Sequence, residues 1–130
     1  MIVWSVLAAA IAGMALGAVW YSPVGLGQAW MDALGKSAAD LGNPAPAMVG
    51  SMLSCLVSAL VVEYLFVALA LSGPLLGAAL GAGLGCGLVA TAMASDALFS
   101  GWSLRLYLIQ AGYRVSYLLV MGVSCGLWPR

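Results

Sequence analysis

The sequence contains no histidine. That removes the catalytic triads built on an imidazole and most catalytic zinc sites, which need a neutral ring nitrogen near physiological pH. Charge is almost as scarce, with 4 basic and 4 acidic side chains in 130 residues. At 6% charged residues, against roughly 25% in an ordinary soluble domain, the chain lacks the polar surface to cover a water-soluble globule. Its formal net charge of zero offers no basic patch to nucleic acid, which is therefore not an expected partner. The cysteines, Cys55, Cys86 and Cys125, lie far apart in separate apolar stretches. With no close pair and no histidine they make no metal-site pattern, no cofactor is indicated, and small buried filler is their expected role.

What the chain has instead is apolar length, with 65% hydrophobic residues. Residues 2–20, 48–71, 75–98 and 104–127 each supply the run of about 20 apolar residues needed to span hydrocarbon. This predicts an all-α, integral membrane four-helix bundle, a single domain over residues 1–130, in direct contact with a lipid bilayer. The second and third spans are separated only by Ser72, Gly73 and Pro74, so they form an antiparallel hairpin, and both termini fall on one side. No Lys or Arg precedes the first run, which continues past the roughly 7–15 residues of a signal-peptide core, so a retained helix is expected. Lys36 and Arg105 lie on the long-loop side and Arg130 with the terminal amine on the other, which favours a cytoplasmic long loop.

The first run closes in WYSP, Trp20 to Pro23. Proline donates no backbone hydrogen bond and disfavours helix at the residue before it, so the span ends near Tyr21. Trp20 and Tyr21 then sit at headgroup depth, where a ring with one polar edge is favoured. Within residues 24–46, Leu26, Trp30 and Leu34 recur every fourth position while Gln28, Asp32 and Lys36 take other faces. That spacing predicts a short amphipathic helix in the interface between the first and second spans, with Trp20, Tyr21, Pro23 and Trp30 as its anchor. Ser37 and Asp40 have the spacing of a helix cap, and NPAPA, Asn43 to Ala47, ends the excursion. Gly25 and Gly27 lack the rest of a dinucleotide fingerprint and read as a hinge.

Glycine is plentiful, at 17 residues, and it is patterned. Gly77, Gly81 and Gly85 repeat every four positions, as do Ala9, Gly13 and Gly17, with a weaker pair at Gly112 and Ser116. Stripes of this kind let helix backbones approach closely, either inside the bundle or along a seam between copies.

Ionisable residues inside spans cost about 2.5–3.5 kcal/mol or more at the bilayer centre unless paired or hydrated. Glu63 lies within the second span and Arg114 near the middle of the fourth. Tyr107, Gln110, Arg114 and Tyr117 share one face, an intramembrane polar stripe unsuited to lipid. The two charges differ in depth by roughly 8 Å, which long side chains can bridge, so a buried Glu63–Arg114 pair is expected. Such a pair either fixes helix register or serves passage of an ion or proton, and a Glu63 without a partner would turn neutral, as a proton relay needs. Ser51, Ser54 and Ser58 lie roughly opposite Glu63 and are expected to bond their own backbone and face lipid or a neighbour. Asp96 and Arg105, either side of the last turn, are expected to form an interfacial pair.

WYSP with the glycines and Trp30 that follow it, NPAPAM at Asn43 to Met48, and LIQAGY at Leu108 to Tyr113 resemble a bacterial integral-membrane family, the domain of unknown function 1761. The resemblance covers nearly the whole chain. It implies a small four-helix protein of the bacterial inner membrane with no established activity, and it brings no catalytic residues. It also implies that the family's Gly-Tyr-His in the last helix stands here as Gly112, Tyr113 and Arg114. A change of base at that position counts against a mechanism that needs a titrating group there.

The expected function is therefore a polytopic membrane protein with a polar intramembrane cavity that binds or passes a small solute, ion or proton. The alternative is a non-catalytic scaffold that packs in a homo-oligomer or with a larger membrane-protein partner through its glycine faces. An enzyme is not expected, because no nucleophile has a base beside it.

Overall fold

The computed structural model describes residues 3–129. Ile2, where the first span is expected to begin, and Met1 and Arg130, which bear on the orientation, lie outside the described residues. The helices are α1 (Val3–Trp20), α2 (Gly27–Leu34), α3 (Ala45–Ala68), α4 (Gly73–Leu84), α5 (Ala90–Ser100) and α6 (Leu104–Leu127). A 3₁₀ turn at Ala38–Leu41 follows α2, and a π turn at Gly85–Val89 fuses α4 to α5. No strand occurs among the described residues. Four helical segments, Val3–Trp20, Ala45–Ala68, Gly73–Ser100 and Leu104–Leu127, are long and apolar enough to cross a membrane. The molecule is a multi-pass membrane protein of all-α architecture.

Local chemistry explains where the helices begin and end. α3 starts at Ala45, ahead of the expected Met48, because Pro46 falls in its first turn, where a missing N–H leaves nothing unsatisfied. It stops at Ala68, and Ala70 turns left-handed at φ 54° while the Leu71 amide donates back to the Phe66 carbonyl. Gly101, also left-handed, closes α5, and the Ser103 hydroxyl accepts from the Leu106 amide to start α6. The third span is not the single α-helix expected. Its π turn spans Gly85, Cys86 and Gly87, where two glycines weaken the α-helical preference. The Thr91 hydroxyl and the Tyr107 phenol donate to the Gly87 and Ala90 carbonyls at this bulge.

The last helix is the centre of the bundle, touching every other helix. Its closest neighbour is α4. A Cβ on Gly77 would collide with the Gly122 carbonyl and one on Gly122 with the Gly77 carbonyl, while Gly81 lies against the Leu118 carbonyl in the same way. The glycine face of the third span is thus spent inside the molecule, as one of its two expected uses. On the other side α1 packs on α6 through Gly13, where a Cβ would come within 2.7 Å of Met121 Cε, and Gly17, where it would meet the Tyr113 hydroxyl at 2.6 Å. The enclosed core joins Val6 and Ala9 of α1, Val62 and Phe66 of α3, and Met121 and Cys125 of α6.

α3 and α4 form the expected hairpin, yet they meet only near their turn, where the Phe66 ring backs Gly77. Beyond it a cleft opens between them. At the opposite end α2 rests on the start of α6, with Trp30 edge-on to Tyr21 at 5.2 Å and Gln28 bonded to Asp32 at 2.8 Å. The glycines of the expected hinge are clamped, since a Cβ on Gly25 or Gly27 would strike the carbonyls of Val19 or Tyr21. Ser37 and Asp40 cap each other across the 3₁₀ turn.

Two predictions follow from this packing. Gly81→Ala should destabilise the detergent-solubilised protein by about 1–3 kcal/mol as α4 is forced off α6. Gly83→Ala, where nothing lies within 4 Å, should be neutral or stabilise by up to about 1 kcal/mol; thermal unfolding of the two variants makes the comparison. Asp40 is held below its ordinary pKa of 3.8 first by the Ser37 backbone N–H and then by the Ser37 hydroxyl. Its contribution is therefore complete above that value and lost as pH falls through the lowered one. Amide exchange at Ser37, corrected for its intrinsic rate, should lose protection on acidification below about pH 4, and Asp40→Asn should remove that dependence.

Candidate functional site

The two intramembrane charges go to different places. Glu63 is fully buried on the face of α3 that meets α1, and the Ser5 hydroxyl donates to its Oε2 at 2.9 Å. Arg114 donates through Nη1 to the Gln110 carbonyl at 3.2 Å and to the Tyr21 hydroxyl at 3.5 Å, and its Cζ stands 5.6 Å from the centre of the Tyr113 ring. The expected Glu63–Arg114 pair is not formed. Because α3 begins at Ala45, Glu63 lies about 12 Å deeper than Arg114 along parallel helices, and the arginine turns back toward the start of α6, as helical side chains do. Among the described residues no ion pair joins Arg114 to any carboxylate.

Tyr21 and Gln110 complete the arginine's surroundings. The Tyr21 phenol donates to Gln110 Oε1 at 2.8 Å. Burial raises its pKa above 10.0 and the Arg114 charge pulls it back only in part, so it stays protonated and can donate. Tyr113 donates to the Gly13 carbonyl at 3.1 Å and stacks edge-on with Tyr21 and Tyr117 at 5.4 and 5.1 Å. This aromatic row walls one side of the guanidinium.

The other side is open. Arg114, Tyr113 and Tyr117 of α6 and Ser51, Ser54 and Cys55 of α3 line a half-open cleft of about 190 Å³. Arg114 is partly exposed there, and Ser51 and Ser54 are exposed. Ser58 lies 3.5 Å from the Tyr117 hydroxyl. Ser51 and Ser54 face outward, and with Ser58 they form a polar seam beside the buried face of α3. A guanidinium has five N–H donors in a planar fork, and among the described residues only Nη1 makes bonds here. The remaining donors suit a planar or tetrahedral oxyanion. Below this cleft Cys55 and Met121 close on Gly13, so it ends within the bundle.

Of the expected polar stripe, Arg114 and Tyr117 line the cleft and Gln110 orients its edge. Tyr107 does not take part, because its hydroxyl reaches the Ala90 carbonyl of the third span at 2.7 Å. The expected Asp96–Arg105 pair is also absent; both side chains are exposed and no ion pair joins them. At that end the Tyr107 hydroxyl, bonded to Ala90, ties α6 to the third span, while Asp96 and Arg105 both remain exposed. The anchor residues gain sharper roles. Trp20 donates to the Ile109 carbonyl at 3.1 Å over Gly112, and Tyr21 bonds Gln110, whereas Pro23 is exposed beyond them. Sequence reasoning missed Tyr113 and the serine side of the cleft. Tyr113 was signalled by its i, i+4 relation to Tyr117 and by the glycines of α1 that make room for it.

No three histidine, cysteine or carboxylate groups come together as metal ligands among the described residues. The sequence profile of the family described as Protein of unknown function (DUF1761) matches residues 4–126, and the chain belongs to that family. Among curated proteins and solved structures none matches it.

Tyr21→Phe keeps the ring contacts and removes the phenol bonds to Gln110 and Arg114. It should cost about 0.5–1.5 kcal/mol in thermal unfolding, and Trp20→Phe a similar amount for the Ile109 bond. A Trp20 or Tyr21 that served only as a headgroup anchor would accept phenylalanine with no loss of tertiary stability.

Proposed function

We propose that this member of a family of unknown function is a non-catalytic membrane binding protein, and that Arg114 in its half-open cleft holds the anionic group of a small ligand. The observation that carries the reading is a guanidinium inside a membrane span that has aromatic and amide neighbours but no carboxylate among the described residues. A charge kept at that depth without a counter-ion is expensive, and a bound anion offsets the expense. Hydroxyls of Ser51, Ser54 and Tyr117 on the same cleft supply further donors.

Binding fits better than passage, because the cleft stops at Cys55, Tyr113 and Met121. A packing role in an oligomer would use faces still open after folding, such as Gly83 and Gly87 on the outer side of the third span. Lys36 and Arg105 on the long-loop side support a cytoplasmic position for that side, and with it for the polar end of the cleft.

The test is anion binding by the protein in nanodiscs of neutral phosphatidylcholine, with trifluoroacetate followed by fluorine NMR. Wild type should broaden the signal saturably, Arg114→Gln should weaken binding at least about tenfold, and Arg114→Lys should fall between, since the lost charge-assisted bonds amount to roughly 1.5–3 kcal/mol. Equal broadening by wild type and Arg114→Gln would remove Arg114 from the site.

A further inference from the structure

We propose that the ligand is a single-chain amphiphile, with a carboxylate or phosphate head at Arg114 and one acyl chain laid between α3 and the third span. This rests on the anion reading above and adds the chemistry of the rest of the molecule. A second cleft, of about 230 Å³, is lined by Val57, Val61 and Val62 of α3, with Leu84 and Leu88 of the third span and Tyr117 of α6. Tyr117 lines both clefts, so the polar and the apolar one lie side by side across its ring.

The order of chemistry along this groove is that of a bilayer leaflet. α3 runs inward from the long loop, so Ser51 and Ser54 are shallow and Val57 and Val61 deeper. The third span runs the opposite way, so its own deep residue, Leu84, meets the deep end of α3. The guanidinium, bonded to the Gln110 carbonyl, lies at the shallow end. A water-soluble anion would favour that end, since the apolar cleft offers it only the Ser58 and Tyr117 hydroxyls among aliphatic side chains. An amphiphile entering sideways from the leaflet fills both parts in its ordinary orientation.

The π turn shapes the tail site. Leu88 and Val89 belong to it and stand in the wall of the apolar cleft, which Leu118 of α6 also lines. One cleft of this size admits one chain. Lipid tails are as apolar as the groove, so the chain gains dispersion contacts and little hydrophobic free energy, and selection falls on the charged head.

The experiment uses the full chain in phosphatidylcholine nanodiscs and a long-chain fatty acid carrying a mid-chain diazirine. After irradiation, labelled peptides are mapped by mass spectrometry. Labels should concentrate on residues 57–62 and 84–89. Myristate and dodecyl phosphate should compete, tetradecanol should not, and Arg114→Gln should lower labelling at least tenfold. Leu88→Trp, which fills the apolar cleft, should displace the label.

Labels spread over all lipid-facing helices, or equal competition by tetradecanol, would overturn the proposal. Stronger competition by phosphatidylglycerol doped into the disc than by myristate would overturn the single-chain assignment in favour of a two-chain lipid. If trifluoroacetate still binds in those cases, the anion site stands and the amphiphile fails; if trifluoroacetate does not bind either, both readings fail together.

Discussion

The contact between Gly77 and Gly122 is the constraint on which the rest of the molecule depends. In hydrocarbon there is no water to expel from between helices, so association relies on close packing and on polar bonds. Glycine on both sides lets the α4 and α6 backbones touch, and Gly81 against Leu118 extends the contact by another turn. With α4 pressed on α6, and α1 seated on the far side through Gly13 and Gly17, α3 cannot also lie flat on α4. It packs on α1 and α6 instead, and a groove is left between the partners of the hairpin.

That groove gives Arg114 its meaning. An arginine in a membrane span is ordinarily reconciled by a carboxylate, and the one carboxylate within the second span is engaged elsewhere in the core, with Ser5 as a donor. Arg114 instead turns toward the interface and shares Tyr21 and Gln110. Its remaining donors face a cleft with hydroxyls on the opposite wall. The charge is therefore held in place by Tyr21, Gln110 and the Tyr113 ring.

WYSP shows how one motif can carry two demands. Its rings have the amphipathic character of interfacial residues, and depth alone accounts for their position. In the fold they also tie the end of α1 to the second turn of α6, Trp20 through the Ile109 carbonyl and Tyr21 through Gln110. Ser22 accepts from the Gly25 amide and donates to the Val19 carbonyl, so the chain turns tightly before α2. The motif thus orders one rim of the cleft, and its chemistry reaches the arginine directly.

Hydropathy and glycine spacing carried the spans, the α6 boundaries and the close-packing face, because each is a property of one helix measured along its own axis. Leu104–Leu127 agrees at both ends, and Pro46 accounts for the earlier start of α3. The π turn was not legible, since glycines in a membrane helix more often mark packing than a change of winding. Neither the partner of Glu63 nor that of Arg114 could be read from spacing. Spacing places a residue by depth and by angle about its own helix; only the packing of several helices decides which face meets which. The sequence by itself determined a lipid-embedded α-bundle with an arginine near the middle of its last span, on a polar stripe. The tertiary structure decided that, among the described residues, this arginine has no carboxylate beside it and that an apolar groove lies next to its cleft across Tyr117, because both depend on where α4 displaces α3.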